Sequence, residues 1–298
     1  MLEMESCALC PRECRVNRSA GQRGVCGVPA EIYAARAALH MWEEPCISGE
    51  RGSGAVFFSG CPLGCIYCQN HLISEGKAGK TITVQRLAEI FLELQDQDAA
   101  NINLVTPTHY TPQIIDAVRL SREKGLRLPI VYNCSGYEKA ETLQSLEGIV
   151  DIYLTDFKYM EADLAKRYSR AADYPEIAKA ALAEMVRQQN PPVFDEDGMM
   201  KQGVIVRHLL LPGHVKNAKA VVRYVYETYG NDVYFSLMNQ YTPPAQPVDI
   251  PELNRRVTRR EYESLVDYAI DLGVENGFIQ EGKTAKESFI PEFDCEGI

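Results

Sequence analysis

From Gly54 onward the chain alternates short β-branched or aromatic runs with longer amphipathic stretches. This alternation is typical of repeated βα units that build a parallel sheet. Several runs are continuously apolar, as strands buried on both faces should be. The six predicted strands are residues 55–59, 102–106, 129–133, 151–155, 204–209 and 233–238. A short final strand is predicted over residues 277–280.

The stretches between these runs have helical spacing. In residues 83–95, Leu87, Ile90 and Phe91 fall on one face, which predicts an amphipathic helix. Further predicted helices are residues 111–124, 137–144, 175–189, 215–228 and 258–272. Residues 31–42 fit a helix by their alanines or a strand by their placement. Residues 190–203 contain two adjacent prolines and an Asp-Gly turn, which predicts an exposed loop or a short hairpin.

Periodicity alone fits either a partial barrel or a doubly wound sheet. Both architectures bind ligands at the carboxyl ends of their strands. A chain of 298 residues is within the range in which α/β barrels form one domain. We therefore expect an α/β fold, a partial (β/α)6 TIM-like barrel over residues 51–298, with a small cysteine-rich N-terminal extension over residues 1–50.

Composition excludes several classes of protein. The net charge of -10 and the pI near 5.1 oppose attraction to phosphate backbones or anionic lipid. The acidic, cysteine-containing start does not resemble a secretory signal, and no apolar stretch reaches membrane-spanning length. We expect a cytoplasmic chain with no nucleic acid or membrane partner, whose ten cysteines are mostly reduced and point to metal or redox chemistry.

Three cysteines, Cys61, Cys65 and Cys68, follow the first predicted strand directly. A cluster of four irons and four sulfides takes four thiolates, so three leave one iron without a protein ligand. Gly60 and Gly64 favour turns that wrap the backbone closely around a compact group. The alternatives are a structural zinc site completed by a distant fourth ligand and three unliganded core cysteines.

The Cys-x-x-x-Cys-x-aromatic-Cys pattern after the first strand resembles that of the radical S-adenosylmethionine (SAM) superfamily. Within it, the chain resembles the branch related to pyruvate formate-lyase activating enzymes over roughly its full length. The phrases that carry this resemblance are CPRECRVNR, EEPCISGERGSG, FFSGCPLGCIYCQN, NLVTPTHYTPQI and FSLMNQYTP.

The resemblance implies an oxidoreductase in which Cys61, Cys65 and Cys68 hold a catalytic 4Fe-4S cluster. The open iron would chelate SAM, and an electron from a donor such as flavodoxin or ferredoxin would cleave it to a 5′-deoxyadenosyl radical that abstracts hydrogen. Activating enzymes take that hydrogen from a glycine of a partner protein, so a protein or peptide substrate is expected. The alternatives are modification of a small molecule and a non-catalytic iron-sulfur or zinc redox protein.

The resemblance also implies roles for residues around the cysteines. The backbone of Tyr67 would lie near the adenine, and Gln69 and Asn70 would flank the cluster. The superfamily often has a Gly-Gly-Glu stretch after the second strand, which binds the amino group of SAM. This chain departs from that pattern, and Thr106 and Thr108 are the hydroxyl residues expected to substitute.

Polar residues also follow the third and fourth predicted strands. Asn133 and Ser135 are placed to reach the ribose or carboxylate, although turn formation is an equally good explanation for them. Asp156 and Lys158 resemble the Asp-x-Lys of glycyl-radical activating enzymes, where such groups lie near the methionine carboxylate. An ordinary structural ion pair is the alternative for this second pair.

The fifth and sixth predicted strands carry the substrate-side candidates. Arg207 and His208 belong to the fifth strand, and alternation sends them to opposite faces, so only one need enter the site. Asn239, Gln240 and Tyr241 follow the sixth strand, and Gln240 is the predicted binding residue among them.

A second group of cysteines lies near the N-terminus: Cys7, Cys10, Cys14 and Cys26. The segment has too few large apolar residues to fold by burial, and a bound metal would solve that problem. Four thiolates suit zinc or an auxiliary iron-sulfur cluster, and their spacing does not decide between the two. Free or redox-labile thiols are the alternative.

Overall fold

A computed structural model of the chain describes residues 4–244, 248–280 and 291–298. In these ranges ten strands form one sheet, with the order β10-β9-β8-β6-β5-β4-β2-β1-β3 and with β7 paired to β8. The strands are β1 (Ile32–His40), β2 (Ser53–Phe58), β3 (Lys80–Ile82), β4 (Ile102–Val105), β5 (Ile130–Cys134), β6 (Ile152–Asp156), β7 (Val193–Phe194), β8 (Met200–Leu209), β9 (Tyr234–Met238) and β10 (Gly277–Ile279).

The helices connect and cover these strands. In chain order they are α1 (Pro45–Ser48), α2 (His71–Ser74), α3 (Val84–Asp96), α4 (Thr111–Glu123), α5 (Ala140–Gln144), α6 (Ala162–Ser169), α7 (Tyr174–Gln189), α8 (Val215–Tyr229) and α9 (Arg259–Leu272). None of the helices in the described part of the chain combines the length and the apolar character that crossing a membrane requires.

Seven strands are parallel neighbours in the order β2, β4, β5, β6, β8, β9 and β10. Helices follow most of them and bury their apolar faces against the sheet. In α3, for example, Leu87, Ile90 and Phe91 are buried, and the Thr83 side chain caps the helix by accepting from the Arg86 N–H at 3.1 Å. The predicted α/β fold and partial (β/α)6 TIM-like barrel are confirmed.

The stretch that fitted either a helix or a strand forms β1. It pairs antiparallel with β2, and the register places Ala37 opposite Val56. Alanine has little strand propensity of its own, so the pairing partner decides the conformation here. The C-terminal residues pack on this strand, where the Ala37 N–H donates to the Glu296 carbonyl at 2.8 Å. The domain division at residue 50 stays a prediction.

Three other regions differ from the predictions or refine them. Helix α6 has no counterpart among the predicted helices, because its eight residues are too few for the periodicity of buried Leu164, Ala165 and Tyr168 to stand out. In residues 190–203, the hairpin alternative is the observed one, since β7 pairs antiparallel with β8. Helix α5 begins at Ala140 rather than at residue 137, after Lys139 in extended geometry.

The β1–β2 connection fills the inside of the barrel. Cys46 and Ile47 of α1 are buried against Val131, Leu154 and Ile205 of strands β5, β6 and β8. Because side chains alternate along a strand, the residues two positions further on share this inward face. Above the apolar layer, the inward positions are therefore polar: Asn133, Asp156 and Arg207.

Candidate active site

The three cysteines lie on the loop that follows β2. The Cys61 N–H donates to the Cys26 carbonyl at 3.3 Å, and the Cys68 N–H donates to the Cys65 carbonyl at 3.2 Å. Gly60 has φ +91°, and a Cβ there would meet the Cys26 carbonyl oxygen at 2.7 Å. Only glycine therefore permits the turn and the close approach that start this loop.

All three cysteines line one cavity of about 640 Å³ at the carboxyl ends of the strands. Ten of the twelve residues predicted to bind cofactor or substrate also line it. These ten are Tyr67, Gln69, Asn70, Thr106, Asn133, Ser135, Asp156, Lys158, Arg207 and Gln240. The topology thus brings together side chains that are up to 179 positions apart in the sequence, from Cys61 to Gln240.

Thr108 and His208 lie outside this lining. The Thr108 hydroxyl donates to Glu138 at 2.9 Å, which keeps it in the layer between sheet and helices. His208 is buried with Nδ1 at 2.7 Å from the Phe157 carbonyl, on the face of β8 opposite to Arg207. Burial lowers the pKa of His208 to about 4. Of Arg207 and His208, only one was expected to enter the site, and it is Arg207 that lines the cavity.

Thr106 follows β4 in an uncommon backbone conformation. Its φ is +58°, a region that β-branched residues rarely adopt. The Thr106 N–H donates to the Asn133 carbonyl at 2.9 Å, and this bond continues the β4–β5 pairing into the cavity. Such strain persists only where the surrounding structure imposes it, and it concentrates at functional sites.

Charged side chains form the floor of the cavity. Arg207 Nη1 donates to Glu43 at 3.1 Å, and Arg207 Nε donates to Asp156 at 3.2 Å. Arg207 also donates to the side-chain oxygen of Asn133, and Lys158 pairs with the other oxygen of Asp156. Burial opposes the charge on Asp156, but Lys158 and Arg207 outweigh it and lower the pKa of this carboxyl. The floor is thus a connected, charge-paired network.

A chain of hydroxyl groups connects the aromatic residue of the motif to the cysteine loop. The hydroxyls of Tyr67 and Tyr159 are 2.7 Å apart, and that of Tyr159 is 2.8 Å from the Ser169 hydroxyl. Ser169 in turn donates to Cys65 Sγ at 3.1 Å. Hydrogen bonds of this kind orient ligating groups and tune the metal they hold.

The family model of the radical SAM superfamily matches residues 55–214. That span covers more than half of the chain and contains the cysteine loop and strands β4 to β8. The chain belongs to the radical SAM superfamily.

A sequence relative and solved structures are also similar to this chain. An uncharacterised protein of Methanocaldococcus jannaschii is 29% identical over 273 residues, which cover 89% of this chain and 74% of the relative. A radical SAM methyltransferase from Sphaerobacter thermophilus superposes with a TM-score of 0.53 at 15% identity, over 78% of this chain and 68% of that one. HydG, a maturase of the [FeFe]-hydrogenase, superposes with a TM-score of 0.52 at 14% identity, over 76% of this chain and 51% of that one. At these identities the two structures support the fold alone.

Membership in the superfamily implies a 4Fe-4S cluster and SAM, and the donor set of this site fits them. Three thiols from one loop face one cavity, where soft sulfur ligands suit iron-sulfur clusters. Burial raises the pKa of Cys61 to about 12, and the neighbouring Cys65 and Cys68 add to this effect. Within the described ranges, no three Cys, His, Asp or Glu side chains stand in a ready-made metal-ligating arrangement, so the fit rests on donor chemistry and position.

The N-terminal cysteines come together beside the cysteine loop. Burial raises the pKa of Cys10 to about 12, and the nearby thiols of Cys26 and Cys14 contribute. Burial also raises the pKa of Cys26, which Cys7 and Cys14 reinforce. In addition, the Val25 N–H donates to Cys14 Sγ at 3.3 Å. These thiols therefore lie near one another, and their metal content stays a prediction.

Sequence reasoning missed six polar residues of the cavity: His40, Glu43, Glu44, Ser74, Ser236 and Gln280. The two glutamates follow β1, whose strand character the sequence left open, so no strand-end rule pointed to them. Their one local signal is a pair of acids directly before a proline, inside a phrase that already supported the family resemblance. Ser236 lies within β9 and faces the cavity through strand alternation.

Arg207 provides a stability test of the cavity floor. Arg207→Gln leaves Glu43 without its cation and Asp156 with one cation fewer, so we expect a loss of about 3–5 kcal/mol in unfolding free energy. The matched control is Arg187→Gln, which removes an exposed arginine that bridges two carboxylates and should cost below about 1 kcal/mol. Urea denaturation of the metal-free protein measures both. Equal losses in the two variants would contradict the charge-paired floor.

Proposed function

We propose that this chain is a glycyl-radical-activase-like member of the superfamily, which abstracts hydrogen from a protein or peptide. Its superfamily membership supplies the reaction class, which is radical chemistry from SAM. The observation that carries the proposal is the single cavity in which the three cysteines meet Asp156 and Lys158. These two residues lie at the end of β6 and resemble the Asp-x-Lys of the activating enzymes.

In this proposal Cys61, Cys65 and Cys68 hold the cluster. When bound, the cluster and SAM together supply a 5′-deoxyadenosyl radical by reductive cleavage of the sulfonium. Tyr67 and the residues after it would pack around the cofactor, and buried Tyr67 lies in contact with the rings of Tyr168 and Tyr241.

The strand ends of the chain would then bind and orient SAM. Asn133 and Ser135 are the proposed ribose or carboxylate contacts, and Lys158 is a fixed cation beside the proposed carboxylate position. Burial opposes the charge on Lys158, but Asp156 outweighs it and raises the pKa of the ammonium. Thr106 is the remaining hydroxyl candidate for the amino group, because Thr108 is engaged with Glu138.

A macromolecular substrate suits the entrance of the cavity. Two of its lining residues are large and solvent-exposed, Trp42 at 59% and Ile279 at 44%. Exposed apolar side chains at the rim of a pocket mark interaction sites more often than isolated ones do. The charged floor below favours the second candidate, a small polar molecule that reaches Glu43 and Arg207. Both candidates use the same radical chemistry.

The enzymatic proposal predicts that anaerobically reconstituted protein releases 5′-deoxyadenosine from SAM when dithionite is added. Cys65→Ala should reduce this product to the level of an enzyme-free sample, because the cluster loses a ligand. Cys295→Ser is the matched control, since Cys295 lies outside the cavity lining, and it should retain full activity. Chromatography quantifies the product.

A wild-type protein that carries a full cluster but releases no more product than Cys65→Ala would favour the non-catalytic redox alternative. A glycyl radical signal that appears in a candidate partner only with the active enzyme would identify the activase substrate. Turnover with no such partner and with a small molecule consumed would instead favour the second candidate. The cytoplasmic location and the flavodoxin or ferredoxin donor stay predictions.

We also propose that Cys7, Cys10, Cys14 and Cys26 bind a second metal centre, either zinc or an auxiliary iron-sulfur cluster. Their mutual proximity supports it, as does the backbone bond between Cys26 and the cysteine loop. Metal binding would displace protons from the thiols of Cys10 and Cys26, whose pKa values burial raises.

The second centre predicts residual metal in a triple variant, with Cys61, Cys65 and Cys68 all changed to Ala. Elemental analysis of this variant, purified without oxygen, should find roughly one zinc or roughly four irons per chain. Further replacement of the four N-terminal cysteines by Ser should remove that metal. A folded triple variant with no bound metal would refute the second centre.

A further inference from the structure

Two adjacent glutamates on the cavity floor have different environments. Glu43 is fully engaged: it accepts from Asn103 at 2.9 Å and Asn133 at 3.3 Å through one oxygen, and from Arg207 at 3.1 Å through the other. Glu44 also lines the cavity, yet its Oε2 atom has no hydrogen-bond partner. The network thus gives both oxygens of Glu43 hydrogen-bond partners, but it leaves Oε2 of Glu44 without one.

Glu44 is also deeply buried, with 7% of its surface exposed. Burial raises the pKa of its carboxyl, while Arg207 and the Ser236 hydroxyl oppose that shift. An ionised carboxylate that is buried and incompletely paired is costly, and the missing partner would recover part of that cost. Glu44 thus has the properties of a group that awaits a hydrogen-bond donor.

The charges around the cavity indicate which donor that is. Among the lining residues described, the carboxylates are Glu43, Glu44 and Asp156, and the cations are Lys158 and Arg207. Both cations are committed to Glu43 and Asp156 by direct contacts. The carboxyl of Glu44 is therefore the uncompensated acid in this set, and a positively charged donor is its natural complement.

A nitrogen cation fits this position better than a metal ion. Calcium or magnesium requires about six oxygen ligands, and each binds through several carboxylates, carbonyls or waters. Glu44 offers one oxygen without a hydrogen-bond partner, and the described residues include no group of three Cys, His, Asp or Glu arranged to hold a metal. An ammonium needs only one charged acceptor and can satisfy its other N–H groups with hydroxyl or amide oxygens.

We propose that Glu44 binds a primary ammonium group of the substrate, which makes the substrate an alkylamine. A lysine side chain of a peptide is the alkylamine that agrees with the proposed function. The radical reaction on this substrate rests on the proposed function, whereas binding of the ammonium group by Glu44 does not depend on it. Glu44 would be a substrate-binding residue, and the Ser236 hydroxyl would help orient it.

Binding of matched probes tests the inference directly. Isothermal titration of the reconstituted protein with SAM present compares n-pentylamine with 1-pentanol, which has the same length and no charge. A second pair, N-acetyl-glycyl-lysyl-glycinamide and its norleucine analogue, distinguishes a peptide source from a small amine. We expect the charged member of a pair to bind roughly 10- to 100-fold more tightly, as a charge-assisted hydrogen bond allows.

Two variants assign the preference to Glu44. Glu44→Gln should weaken binding of the charged probe by at least about 10-fold and leave the neutral probe unchanged. It should also fold, because it removes a buried charge that lacks a full partner, and its urea midpoint checks this. Glu44→Asp keeps the carboxylate but moves it one methylene further away, so it should weaken binding of the charged probe less than Glu44→Gln does. Glu89→Gln on α3, where the side chain is 46% exposed, is the control and should match wild type.

The outcomes separate this inference from the proposed function. Equal binding of charged and neutral probes, no binding of either, or full amine affinity in a folded Glu44→Gln variant would overturn the role of Glu44. Release of 5′-deoxyadenosine, measured in parallel samples to which dithionite is added, reports on the radical chemistry alone. Amine preference without that product would leave the role of Glu44 intact and refute the reaction.

Discussion

One guanidinium joins the separate parts of the barrel interior. Arg207 on β8 contacts Asp156 on β6, Asn133 on β5 and Glu43 from the β1–β2 connection. A buried charge requires partners, so the positions of these four elements are coupled through it. The cavity exists because this polar layer lies above the apolar plug of α1 and below the cysteine loop. The charged groups of the floor are paired with one another, and the three thiols line the same cavity.

The strands could be predicted because each is a short apolar run beside amphipathic stretches, and their carboxyl ends then pointed to ten of the twelve predicted binding residues that line the cavity. Ser135 and Gln240, for instance, needed only the rule about strand ends. Other features depend on contacts between distant residues. β1 is alanine-rich, and its conformation comes from pairing with β2, while Glu43 reaches the floor only because α1 enters the barrel. Such long-range effects leave no local pattern in a sequence.

The N-terminal segment is tied to the cysteine loop by more than one contact. Arg12 donates to the carbonyls of Pro62 at 2.9 Å and Leu63 at 3.2 Å, and also to that of Ser169. The Cys26 carbonyl accepts from the Cys61 N–H. Any metal bound by the N-terminal cysteines would therefore brace the backbone that positions the cluster. These contacts support the cysteine loop whether or not a metal binds to the N-terminal segment.

The central claim is that three protein thiolates leave one iron for SAM. Electron–nuclear double resonance on the reduced cluster, with nitrogen-15 in the amino group of SAM, tests it most directly, because coupling requires the amino nitrogen to ligate the cluster. We predict a nitrogen-15 coupling that appears only when labelled SAM is added. A fully assembled cluster on Cys61, Cys65 and Cys68 that shows no such coupling at saturating SAM would contradict the account.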